Sequence, residues 1–353
     1  MKKRTIAVVL AAAMAMSSLA GCSGSEKPAD TTAAATETTT VAATEMKEES
    51  TKAPESKETE VKTEEVVSSD LTLGDYEPKK KEYNFYLTYK LVHAWWDAVG
   101  LGLEEAQKQY ADRGITINYE YTAPVTPDAI DQVNRLEEAA GRGFDVIGVD
   151  VNDIKIVTPT INNLIDQGVK VMTFSSSDAT KEDGCKRIAY VGNTHNYQDG
   201  ADLAEILAEK IDYKGQVAAL AGTIGAPCHE DRIKGFKDVM EKYPDLKGIF
   251  CNNMGNPIGA AQAVVDAGKA GQIVLVGMDH DKRALEYLRD GVIQALGVQD
   301  CFKMGFDTIQ VAIMIADGLE PGADTYPEQT EETTSIIYQE DAQRMLDMLY
   351  PAS

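Results

Sequence analysis

With 353 residues, 43% of them hydrophobic, the chain is long enough for two modest cores rather than a single one. Its 57 acidic against 34 basic residues leave a formal net charge of −23, and a surface that acidic repels phosphate backbones, so no nucleic acid is expected as a partner. Five cysteines show neither paired CxxC spacing nor the density of a disulfide scaffold.

The chain begins Met1-Lys2-Lys3-Arg4, continues as an apolar run over residues 6–16 and reaches Leu19-Ala20-Gly21-Cys22. That order of charge, apolar run and small residues marks a secretory signal over residues 1–21, and the run is too short to cross about 30 Å of hydrocarbon. The Leu19–Cys22 stretch resembles a bacterial lipobox. The resemblance implies cleavage before Cys22 and acylation of Cys22, which anchors the chain at the outer face of the cytoplasmic membrane, in the cell envelope. Residues 23–70 hold 12 acids against 5 lysines, almost no aromatics and much Thr, Ser and Ala. They cannot bury enough apolar area to offset chain entropy, so a disordered stalk is expected from Cys22 through residue 80. For Cys185, Cys228, Cys251 and Cys301 a single bridge and free thiols both remain open, because sequence cannot pair them.

From Tyr83 onward, β-branched and aromatic runs at 83–90, 115–121, 144–151, 169–174, 187–191, 216–221, 248–251, 272–278 and 292–298 read as strands, with helical patterns between most of them. The first helix, about 95–110, puts Trp96, Val99, Leu103, Ala106 and Tyr110 on one stripe, its core face. Most strand runs are continuously apolar rather than alternating, as when helices cover both faces of a parallel sheet. Two successive series of strand and helix therefore predict an α/β chain of two doubly wound parallel-sheet lobes.

In such sheets ligands bind beyond the carboxyl ends of the strands, so the residues there are the candidate site. In order they are His93, Trp95 and Trp96; Asp150 and Asn152; Ser175, Ser176 and Asp178; Asn193, His195 and Asn196; His229, Glu230, Asp231 and Arg232; Asn252 and Asn253; Asp279, His280 and Asp281; and Gln299. Two indoles with amides, carboxylates, hydroxyls and a guanidinium suit a neutral polyol: sugar hydroxyls donate to carboxylates and accept from Arg or Asn, while a C–H face lies on an aromatic plane. Adjacent helical residues point about 100° apart, so with Trp96 on the buried stripe Trp95 is expected to look into the cleft.

Several segments carry a resemblance over residues 81–340: "HAWWDAVGLGLEEA", "VKVMTFSSSDA", "RIAYVGNTHNYQDGADLAEIL", "EDRIKGFKDVM", "GIFCNNMGNPIGAAQAV", "VLVGMDHD" and "DGVIQALGVQD". In that order they are similar to the type I periplasmic sugar-binding proteins, the group that contains ribose-binding protein, in the lipoprotein form of an ABC transporter substrate-binding protein. The resemblance implies a first lobe of residues 81–188 and 300–328 and a second of 189–299 and 329–353. Three crossings join them near 187–190, 299–301 and 328–334, and the lobes close on a monosaccharide or small polyol for delivery to an ABC permease. Carried over position by position, His93 stands where the family has an Asn, and Trp95 and Trp96 where it has two stacking Phe residues. Ser175 and Ser176 stand where it has an Asp-Arg pair, with Asp178 as the replacement carboxylate. Arg232 falls on the ligand-binding Arg, and Asn253, Asp279 and Gln299 on the second wall. Two departures are visible: Asn253 is followed by Met254 instead of Asp, and only residues 244–247 stand where the family has a further strand and helix. The second sheet is therefore expected to be one strand short.

Other functions fit the residues less well. A DNA-binding regulator of this fold needs a helix-turn-helix before residue 80, and the acidic stalk offers none. A carbohydrate-active enzyme of the envelope needs two flanking carboxylates, for which Asp150, Asp178, Asp279 and Asp281 are candidates. No Gly-x-Ser-x-Gly or Walker-type signature accompanies them, so a binding protein without catalytic residues or cofactor is expected, as a monomer. His93, His195, His229 and His280 all fall in strand-end loops but lack the local spacing of a metal motif, so no metal is expected. A receptor that reports closure to a membrane kinase or chemoreceptor stays open as the alternative to transport, because both read the same motion.

Overall fold

The computed structural model describes residues 71–223, 225–240 and 246–350. The signal, Cys22 and the stalk up to residue 70 lie outside them. Strands β1 (Glu82–Thr88), β2 (Thr116–Thr122), β3 (Val146–Val149), β4 (Val171–Ser175) and β5 (Tyr190–Gly192) pair in parallel in the order β2-β1-β3-β4-β5. Strands β6 (Gly215–Leu220), β7 (Leu246–Cys251), β8 (Leu275–Met278), β9 (Ala295–Gln299) and β10 (Thr334–Ile337) form the second sheet in the order β10-β9-β8-β7-β6, with β10 antiparallel to β9. Helices α1 (Trp95–Asp112), α2 (Ala129–Arg142), α3 (Ile154–Asp166) and α8 (Cys301–Ala316) belong to the first lobe. Helices α4 (Asn196–Lys210), α5 (Pro227–Met240), α6 (Gly255–Asp266), α7 (Lys282–Arg289) and α9 (Gln339–Leu349) belong to the second.

The expected doubly wound lobes are thus present, and the apolar runs explain them: every residue of β3, β4, β8 and β9 is buried, as covering on both faces demands. The α1 stripe of Trp96, Val99, Leu103, Ala106 and Tyr110 is buried in the first core. Helix α8 reaches that lobe from the second sheet and packs on α1 at backbone distance. A Cβ added to Gly305 would lie 2.0 Å from the Val99 carbonyl oxygen, and one added to Gly102 1.9 Å from that of Phe302. Replacing Gly305 with Ala forces these helices apart and should cost about 1–3 kcal/mol or more in urea unfolding; an unchanged midpoint would show that the contact yields freely.

Three boundaries differ from the sequence reading. Residues 190–192, expected in the second lobe, pair as β5 in the first sheet, because Val191 is fully buried in the first core and completes the β4 edge. The crossing therefore begins at Asn193. It runs beside the third crossing: Tyr190 N donates to Glu328 O at 2.8 Å and Thr330 N to Tyr190 O at 2.9 Å. Residues 334–337, placed in the second lobe but not read as a strand, form β10; four residues carry too little periodicity to announce a strand.

Residues 71–80, expected in the stalk, dock on the first lobe instead. Leu73 is buried, and its main chain is held by Gln109 and Arg113. Tyr76, Lys79 and Tyr83 all donate to the Asp317 carboxylate. In the second sheet β6 is the outer strand, whereas its counterpart β1 is flanked by β2. The chain passes from α5, ending at Met240, to β7, starting at Leu246. The unit missing from the sequence is therefore the counterpart of β2 and α2, and its absence leaves β6 half-exposed along most of its length.

Candidate functional site

The carboxyl ends of the two sheets face each other, and the loops that follow β1, β3, β4, β8 and β9, with the start of α5, build two opposed walls. After β1 the chain turns through Tyr89 and Lys90 into α1. The Tyr89 ring stacks on Trp96 with centroids 4.7 Å apart, and Tyr121 OH donates to the Trp96 carbonyl, which fixes Trp96 in the first core. Trp95 meets Trp96 edge-on at 4.7 Å, and its Nε1 donates to Asp279 Oδ1 of the opposite wall at 3.0 Å. Asp279 follows β8 with φ of +76°, a left-handed conformation that costs a non-glycine residue energy and that the surrounding contacts must hold.

The first wall is organised by Lys90, a lysine only 3% exposed. Its Nζ lies 3.1 Å from Asp150 Oδ2, donates to Ser176 Oγ at 2.9 Å and Ser177 Oγ at 2.6 Å, and sits 5.8 Å over the Trp96 ring. Asp150 Oδ1 accepts from the main-chain N–H groups of Ser176 and Ser177. Burial pushes the Asp150 carboxyl up to about 6, against the pull of the Lys90 ammonium.

On the second wall Arg232 is 2% exposed and donates to Gln299 Oε1 at 2.8 Å and to the Asn252 carbonyl at 3.2 Å; its Nε stands 3.9 Å from Asp199 Oδ2. Burial likewise pushes Asp279 up to about 6, with the Arg232 charge opposing. Cys228, in the first turn of α5, comes 3.6 Å from Lys90 Nζ across the cleft. Burial raises its thiol, but the neighbouring His229 and Lys90 outweigh that and hold it well below the usual thiol range.

Trp95, Asp150, Ser176, Arg232, Asp279 and Gln299 are thus gathered on the two walls. The other candidates are used differently. Asp178 was expected to offer a free carboxylate; instead both its oxygens are held by Arg187, and Thr173 Oγ1 donates to it as well. Its oxygens are thus committed to anchoring the Arg187 crossing, at the edge of the cleft. Ser175 is fully buried at φ of +73°, its carbonyl accepting from Tyr190 OH, a turn residue rather than part of the wall. Asn253, two residues before α6, accepts from Asn256 N at 3.1 Å. His93 stands half-buried at the rim, its Nδ1 accepting from Trp95 N, and burial lowers its pKa. All four described cysteines are buried free thiols.

Buried polar atoms in this region without a hydrogen-bonding partner include Asn196 Oδ1, Asn252 Oδ1, Arg232 Nε and Gln299 Nε2. Buried donors and acceptors are rarely left so, and several on one cleft mark a place where a polar molecule completes them. Toward the crossings the walls part into a pocket of about 360 Å³, lined from both lobes by Ile154, Asp178, Asn193, Asn196, Pro227 and Asp231 among others. Lys90 and Cys228 were missed in the sequence, Lys90 because it closes an apolar run and reads as the last residue of the strand. A lysine ending an otherwise apolar strand of a doubly wound sheet was the signal available.

A sequence profile described as periplasmic binding protein domain matches residues 85–247 and 241–320, dividing where the missing strand-helix unit falls. The D-ribose/D-allose-binding protein of Pseudomonas aeruginosa is 25% identical over 252 residues, 62% of this chain and 77% of its own length. The xylitol-binding protein of Mycolicibacterium smegmatis is 21% identical over 229 residues, 56% of this chain and 62% of its own. Among solved structures, a glucose-galactose binding protein from Geobacillus stearothermophilus superposes with a TM-score of 0.65 at 24% identity, covering 74% of this chain and 99% of that one. A solute-binding protein from Burkholderia graminis, solved with D-arabinose, gives 0.66 at 23% identity, covering 74% and 98%. The profile spans well over half of the chain, and the chain belongs to the periplasmic binding protein domain family, with the fold of its type I sugar-binding members.

Proposed function

We propose that the protein is an extracytoplasmic solute-binding lipoprotein, anchored through Cys22, that takes a monosaccharide or small polyol between its lobes by hinge closure and hands it to an ABC importer. The observation that carries this reading is the composition of the facing walls. Both buried cations already face carboxylates, Lys90 facing Asp150 and Arg232 facing Asp279 and Asp199, so an anionic ligand would find no uncompensated positive charge in the buried site. Neutral hydroxyls, which both donate and accept, complete the unpartnered amide and guanidinium atoms without adding charge. Trp95 supplies the apolar plane, its indole turned from Asp279 to the ligand when the walls part to admit it. The names of the relatives, which bind ribose, allose or xylitol, support the same ligand class.

The test is thermal unfolding of a chain beginning at residue 71 against a panel of monosaccharides, polyols and furanoses. One compound at a hundred times its dissociation constant should add about 2.7 kcal/mol of stability, together with a change in tryptophan fluorescence. Cooperative melting that no sugar or polyol shifts would remove this ligand class.

A further inference from the structure

We propose that Lys90 and Cys228 form an oxidation-dependent covalent bond across the cleft, a sulfenamide that holds the two lobes shut. Lys90 belongs to the loop after β1 in the first lobe, and Cys228 to the first turn of α5 in the second. Their side chains meet with Nζ and Sγ 3.6 Å apart, both buried, at 3% and 1% exposure. Ser176 Oγ also approaches the sulfur, at 4.0 Å, and the His229 side chain hydrogen-bonds it. Among the described cysteines Cys301, for comparison, donates to the Gln299 carbonyl at 3.4 Å. A thiol at the start of a helix and beside cationic groups is the kind that ionises, and the thiolate is the form that oxidants attack.

The chemistry divides between the open and closed forms. With the walls apart, the Cys228 thiolate attacks hydrogen peroxide: a sulfur–oxygen bond forms as the O–O bond breaks, sulfur loses two electrons, one oxygen with its hydrogen becomes the sulfenic hydroxyl and the other leaves as hydroxide. Closure then brings the sulfenic acid against Lys90. The ammonium passes one proton to Asp150, 3.1 Å away, whose carboxyl burial has made more basic. The free amine attacks sulfur, the S–OH bond breaks, and the hydroxide departs as water with a second proton from nitrogen. One S–N bond then joins the lobes, and a thiol reductant reverses it. Nothing in this sequence depends on which ligand the cleft takes.

The experiment treats the full-length protein with a small excess of hydrogen peroxide and maps tryptic peptides before and after dithiothreitol. The expected product is a linked species containing Lys90 and Cys228, two hydrogens lighter than its two reduced components, uncleaved by trypsin at Lys90 and lost on reduction. It should be absent from Cys228→Ser and from Lys90→Arg, whose guanidinium keeps the charge but is a poor nucleophile, with urea midpoints showing that both variants fold. In the wild type, dimedone present during oxidation should intercept the sulfenic acid and abolish the link. A dimedone adduct at Cys228 with no linked species in its absence, an unmodified Cys228, or a disulfide-joined dimer through Cys228 would each overturn the proposal.

Discussion

Replacing Arg232 with Met should destabilise the protein by about 3–5 kcal/mol, the usual cost of removing one partner from a buried ionic cluster. The guanidinium is the cation facing Asp279 and Asp199, both nearly or fully buried, and it also holds Gln299 in place. Its loss leaves two buried carboxylates with neutral donors but no counter-charge, Asn193 and Thr334 on Asp199 and Trp95 on Asp279, and the Gln299 amide oxygen without its guanidinium donor. The cost should shrink on acidification, since an unpaired Asp279 can escape it by taking a proton. Ligand affinity should fall as well, by about 1.5–3 kcal/mol if Arg232 hydrogen-bonds a sugar hydroxyl. Urea unfolding at pH 7.5 and pH 5, with calorimetric titration of the sugar, checks both; a variant as stable as the wild type at pH 7.5 would mean that the carboxylates are solvated from another direction.

The second large effect is in pH. Asp150 and Asp279 have folded-state pKa values raised to about 6, against about 3.9 for an unfolded aspartate. The folded protein therefore binds the proton more tightly than the unfolded chain. Each group's stabilising contribution is complete below about pH 4 and is lost as the pH rises through about 6, by roughly 3 kcal/mol per group. Opening the cleft returns both carboxylates to water, so acidification also favours the closed unliganded form. Asp279→Asn keeps an acceptor for the Trp95 indole but no longer titrates. Going from pH 7.5 to pH 5, the wild type should gain stability relative to this variant; parallel melts with a constant difference would show that Asp279 is solvated in the folded state.

Much of this architecture could be read from the chain because buried parallel strands write themselves as unbroken apolar runs. β3, β4 and β8 are four or five residues long inside such runs, and only their ends moved. β5 was placed three residues early because Arg187 and Ile188 extend the run, although Arg187 is spent on Asp178 and Glu328. The site was legible where polarity changes sharply at a strand end, as at Asp150, Asp279 and Gln299. It was illegible where a long side chain reverses direction. Lys90 folds its ammonium back under Ser176 and Ser177, residues distant in sequence, and no local pattern encodes that. Asp178 was misassigned for the same reason in reverse: its partner Arg187 lies nine positions away, past a turn that brings them together.

The docking of residues 71–80 has a mechanical meaning. Tyr76, Lys79 and Tyr83 converge on Asp317 just past the end of α8, at the pole of the first lobe remote from the cleft. Tension arriving along the chain from residue 70 is therefore borne by one lobe, at a point that does not move when the hinge turns. Such a load does no work on the hinge coordinate. In the lipid-anchored reading proposed above, the second lobe would swing as though the molecule were untethered, and drag or membrane fluctuation would not pry a captured molecule loose.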